Sequence, residues 1–130
     1  MQPLVLLISD LFFSVKVADT ARALGYPVRE IPDGPALLAA VREGAAAVVL
    51  DTQERSDWSS AVRVLKADPA TAHVPVLAFG SHVQVEAARA AVAAGCDRLV
   101  TRGKLSRELP TLLQQLVATP HADATDDQQF

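Results

Sequence analysis

Three short apolar runs, at residues 4–8, 46–50 and 74–79, and two mixed ones at 26–31 and 98–101 each precede a stretch whose apolar residues recur at helical spacing. This alternation limits the fold more than any other feature. Runs of four to six apolar residues are too short for helices, and polar residues, Gly or Pro bound them. Where both faces of a strand are covered, it reads as a continuous apolar run rather than an alternating one.

The intervening segments carry helix signals. Phe13, Val17, Ala21 and Leu24 form a stripe, and Gly25 stops it. After the Asp33-Gly34 turn, Pro35 suits a first helical turn, and residues 36–42 follow, ended by Gly44. Residues 51–57 are polar and read as a loop. Ser56 or Asp57 can cap the helix that carries Trp58, Ala61, Val62 and Leu65, which Asp68-Pro69 breaks. Residues 85–94 form an alanine-rich helix ended by Gly95. Residues 105–117 form the last, with Leu105, Leu109, Leu112, Leu113 and Leu116 on one side and Pro110 near its start. The order βαβαβαβαβα predicts a parallel α/β sheet covered on both faces, with right-handed crossovers.

A chain of 130 residues that is half hydrophobic is long enough to bury a core as one domain. We expect that domain to span residues 1–118. The polar, acidic stretch 119–130 is expected to be a disordered tail. Net charge is −3 and the cations are scattered, so direct nucleic-acid binding is not expected. Cys96 is the only cysteine, which rules out an internal disulfide and suits a small buried hydrophobe in a reducing compartment. Met1-Gln2-Pro3 has no basic character of a leader, and no stretch reaches the roughly 20 apolar residues of a membrane span. A soluble cytoplasmic protein is expected.

Two strands end in acids, the first at Ser9-Asp10 and the third at Asp51. Ligands of open α/β sheets gather outside the carboxyl ends of the strands, so both carboxylates are candidates for one pocket. If Asp51 faces only Asp10, Asp51→Asn should be neutral or stabilising, because it relieves like-charge repulsion. If Arg102 needs it, the change should destabilise. Asp10 can also cap the helix that follows, and Ser9 suits a turn. Of Phe12 and Phe13, one is expected in the core and the other exposed beside the pocket. Trp58 is expected to be partly buried near Asp51, with a partner contact as the alternative. His73, His82 and His121 lack metal-ligand spacing.

Three segments resemble the receiver domain of two-component response regulators. Residues 65–78, Leu-Lys-Ala-Asp-Pro-Ala-Thr-Ala-His-Val-Pro-Val-Leu-Ala, resemble that family's passage into its fourth strand. Ala94-Gly95-Cys96-Asp97 resembles its turn before strand five, and Gly25-Tyr26-Pro27-Val28 its approach to strand two. The likeness covers about residues 3–118. It implies a flavodoxin-like (βα)5 fold, doubly wound, with five parallel strands in the order 2-1-3-4-5.

The resemblance also implies roles. Asp51 matches the aspartate that a histidine kinase phosphorylates. Asp10, Asp51 and the backbone carbonyl of Gln53 match the Mg²⁺ ligands, but the family's paired acids are here Ser9-Asp10. Loss of one carboxylate weakens Mg²⁺ binding without abolishing it, since Mg²⁺ keeps several waters. The remaining positions depart further. The hydroxyl-bearing residue after strand four falls on Gly80, the lysine after strand five on Arg102, and the proline after it on Gly103. The aromatic switch residue falls on Leu99. Lys104 lies two positions late and would reach the pocket only by rearrangement of the loop. Arg102 could instead form a permanent pair with Asp51.

Two functions follow, and neither is enzymatic. The favoured one is a degenerate receiver, or pseudo-receiver, acting by protein–protein interaction without phosphorylation. The alternative is a working single-domain response regulator phosphorylated on Asp51 with Mg²⁺. The implied partners are a histidine kinase or a downstream signalling protein. A homodimer through helix four, strand five and helix five is also implied, where Ala87, Ala88, Ala90 and Ala91 allow close approach. Flavin binding is disfavoured, because Ser9-Asp10-Leu11-Phe12-Phe13 lacks a Ser/Thr/Gly-rich phosphate cradle.

Overall fold

A computed structural model describes residues 1–54, 56–81 and 85–118. The expectations for His82, His121 and the 119–130 tail fall outside them. The elements follow in strict alternation: β1 (Leu4–Leu7), α1 (Leu11–Ala23), β2 (Val28–Glu30), α2 (Gly34–Glu43), β3 (Ala47–Asp51), α3 (Trp58–Ala67), β4 (Val76–Gly80), α4 (Val85–Ala94), β5 (Arg98–Thr101) and α5 (Arg102–Ala118). All four strand pairings are parallel, and the sheet order is β2-β1-β3-β4-β5. The flavodoxin-like fold is therefore as expected.

Alternation along the central strands sends side chains to two separate cores. Val5, Leu7, Val48, Leu50, Val76, Ala78 and Leu99 pack beneath α2, α3 and α4. Leu4, Leu6, Ala47, Val49, Leu77, Phe79 and Val100 pack beneath α1 and α5. Covering both faces explains why these strands read as unbroken apolar runs. The chain reverses direction across the sheet between β1 and β3, so the crevice outside their carboxyl ends lies where Asp10 and Asp51 emerge.

Capping chemistry sets the helix starts. Asp10 caps α1 by accepting from the Phe13 amide at 3.2 Å, and Asp33 caps α2 by accepting from Ala36 at 2.9 Å. At α3 the cap is Asp57, not Ser56, and hydrogen bonds from the Ser60 hydroxyl and amide hold its carboxyl below the usual range.

Most boundaries shift from expectation by one or two residues, and two shifts bear on the site. β4 runs on through Gly80. α5 begins three residues early, at Arg102, where the Lys104 amide donates to the Thr101 hydroxyl at 3.1 Å. Pro110 lies well inside α5, and the non-helical Glu108 (φ −120°, ψ 22°) divides the helix ahead of it. A proline lacks an N–H and its ring clashes with the carbonyl four residues back, so the turn from Ser106 to Pro110 cannot close as regular helix.

One buried ion pair ties the core beneath α3 and α4 together. Lys66 of α3 reaches Asp97 at 2.6 Å and also donates to the carbonyls of Ala72 and Val74 at 3.1 and 2.7 Å. The same Asp97 oxygen accepts from the Val76 amide at 2.7 Å. Both charges are thereby hydrogen-bonded as well as paired, which a buried pair requires. The Cys96 thiol beside it is pushed up to about 12, first by burial and then by the Asp97 charge, so it is an inert hydrophobe at neutral pH.

Candidate functional site

Asp51 ends β3 with only 2 % of its surface exposed. Its position in the strand alternation turns the side chain to the α1/α5 side, where Arg102 meets it. A single guanidinium nitrogen, Nη2, lies 3.2 Å from Oδ1 and 2.9 Å from Oδ2 of Asp51. The Gln53 amide donates to Oδ1 at 2.9 Å, and Arg102 Nη2 also donates to the Gln53 side-chain oxygen at 3.5 Å. The guanidinium carbon lies 5.3 Å from the centroid of the Phe13 ring, which rests in turn on Phe79 at 5.4 Å. Arg102 is thus held by a carboxylate at its edge and an aromatic ring at its face. Its Nε is buried and has no hydrogen-bond partner among the described residues.

The strand-one corner is committed elsewhere. Asp10 spends one oxygen on the α1 cap, and the Ser9 hydroxyl donates to Glu54. Among the described residues, no three His, Cys, Asp or Glu side chains converge as a metal site would require. With a cation already across both Asp51 oxygens, this donor set fits a divalent cation poorly. Mg²⁺ would have to displace Arg102 or share the carboxylate with it, against charge repulsion.

The β4 end holds a residue that sequence reasoning overlooked. The register Asp51↔Phe79 places Thr52 beside Gly80, and a Cβ at Gly80 would overlap the Thr52 hydroxyl oxygen. Gly80 is therefore a glycine because the Thr52 side chain already fills its space. Thr52 is buried and fixed through its backbone, its amide donating to Phe79 at 2.9 Å and its carbonyl accepting from the Trp58 indole at 3.1 Å. An isolated Gly at a strand end signals close approach of a neighbour, but naming that neighbour requires the register.

The other expected residues fall as follows. Leu99 is buried opposite Ala78 in the core beneath α2, α3 and α4. Gly103 is exposed on α5, and Lys104 makes no contact with Asp51, so Arg102 alone of the two reaches that carboxylate. Trp58 is a core residue rather than a partner contact. Phe13 is half-buried and Phe12 is 65 % exposed, as expected of the pair. His73 is exposed.

No family model matches the sequence, and no curated protein matches it. Solved structures do match its fold. The receiver domain of a sensor histidine kinase from Pseudomonas aeruginosa, described with magnesium coordinated in its active-site cleft, superposes with a TM-score of 0.79 at 21% identity, over 91% of this chain and 98% of that one. The fold is that of a receiver domain. The signal receiver domain of a histidine kinase from Syntrophus aciditrophicus gives 0.78 at 13% identity, covering 91% of each chain. The chemotaxis response regulator CheY4 of Vibrio cholerae gives 0.73 at 18%, over 89% of this chain and 99% of that one. Among the described residues of this receiver fold, no helix is long and apolar enough to cross a membrane.

Proposed function

We propose that this chain is a receiver-fold signalling domain that acts by protein–protein contact, without phosphorylation of Asp51. The observation that carries this reading is the Arg102 guanidinium across both oxygens of buried Asp51. On this reading Asp51 is the former phosphoacceptor, and Arg102 supplies permanently the positive partner that a switch would engage only after modification. Two features support a single fixed state. Thr52 closes the space at Gly80, and Leu99 is packed into the core with no aromatic ring to move. Of the groups that would hold Mg²⁺, the Asp10 and Asp51 carboxylates are turned to the α1 cap and to Arg102. The partner on this reading is a protein of a two-component pathway, a histidine kinase or a downstream component, with the face of α4, β5 and α5 as the analogous docking or dimer surface.

The test uses Mg²⁺ with beryllofluoride, and separately Mg²⁺ with a small phosphoryl donor, read by Trp58 fluorescence. The Trp58 indole is bonded to the Thr52 carbonyl one residue from Asp51, so it would register a rearrangement there. The expected outcome is an unchanged spectrum and no incorporation of phosphate. A saturable signal that disappears in Asp51→Asn would overturn the reading in favour of a working response regulator.

A further inference from the structure

Residues 102–107 form a short helical segment of their own, set off from the rest of α5 by the non-helical Glu108. Beyond that break, Leu109, Leu112, Leu113 and Leu116 anchor the helix in the core. The short segment has one such anchor, Leu105, and is otherwise tied by polar contacts. Arg102 holds Asp51, and Ser106 meets the Lys16 ammonium of α1 at 2.6 Å. Arg102 also covers Phe13. Phe13 stands edge-on to Phe12 at 5.3 Å, and Lys16 lies 5.9 Å from the Phe12 ring. The contacts close a circuit, Arg102, Phe13, Phe12, Lys16, Ser106 and back along one turn of helix to Arg102, with Asp51 attached at Arg102.

We propose that segment 102–107 is a latch hinged at Glu108, held shut by the charge on Asp51 and read out at the start of α1 through Phe13. Closing the latch buries Arg102 Nε without a partner among the described residues, a cost that the Asp51 pair and the Phe13 face help to offset. When the Asp51 charge is removed, that cost stays and its compensation goes. The segment then loosens, and Phe13 loses the cation that covers it. The half of α5 beyond Glu108 is anchored independently and does not follow. The proposal rests on the ion pair and the hinge, and it holds whichever way the phosphorylation test falls.

Hydrogen exchange on the full chain, comparing wild type with Asp51→Asn, tests this. Exchange in 103–107 should accelerate about tenfold or more, the value of a charge-assisted hydrogen bond. Residues 14–17 of α1 should respond too, while 112–116 and the strands stay unchanged. In a Lys16→Met background, which removes the second contact to α1 through Ser106, adding Phe13→Leu should abolish the α1 response to Asp51→Asn while 103–107 still loosens. Unchanged exchange in 103–107, an equal rise throughout the chain, or an α1 response that persists with Lys16→Met and Phe13→Leu combined would each overturn the proposal. If Asp51→Asn does not fold, Arg102→Gln carries the same comparison, since an uncharged amide loses the ion pair with Asp51 and the cation over Phe13 together.

Discussion

At the residue scale, the site is defined by two exchanges of side-chain space. Arg102 stands where the resemblance places a lysine, and its broad planar cation reaches Asp51 and Phe13 together. Thr52 occupies the space that a side chain at position 80 would need. Introducing a side chain by Gly80→Thr should therefore destabilise the fold by about 1–3 kcal/mol, as overpacking does. Thr52→Ala in the same chain should recover most of that loss, with the interaction measured as a double-mutant cycle in urea. Additive effects would mean that the two side chains do not compete. The Asp51 position was legible in the sequence, because an acid closing an apolar run sits at a strand end. The expectation of neutrality in Asp51→Asn applied to an acid facing only Asp10; with Arg102 as its neighbour, destabilisation is the expected sign. Thr52 was not legible, because its conflict with Gly80 spans two strands and depends on their register.

At the scale of elements, local signals placed nine of the ten within a residue or two along most of their length. The alternation of apolar runs and helical stripes follows directly from burial on both faces of a parallel sheet. The start of α5 was the chief miss, and it mattered. A loop at 102–104 would leave the direction of Arg102 open, whereas a helix beginning at Arg102, capped by Thr101, aims it at Asp51. Two segments that carried the resemblance, 65–78 and 94–97, meet in space through Lys66 and Asp97. Lys66→Met should cost about 3 kcal/mol, because it leaves the Asp97 charge buried with only the Val76 amide for company. A loss near zero in chemical denaturation would show that the pair is dispensable.

At the scale of the whole molecule, two cores share one sheet, and the candidate site lies at their common edge. The packed helices end at Ala118, and the leucine row of α5 finishes at Leu116. Residues 1–118 are accordingly proposed as the folding unit, so a chain ending at Ala118 should melt within a degree or two of the full chain. A clear fall in midpoint would assign a stabilising role to residues 119–130. Strand order is a property of this scale, and it came from resemblance rather than from periodicity, which is silent on which strands adjoin. The crowding of Thr52 against Gly80 also bears on history. A lineage carrying this pair cannot regain a side chain at position 80 by one favourable step, since the first change meets an occupied space. Position 52 must shrink or turn its hydroxyl away before position 80 can grow, so at this pair the order of substitutions matters.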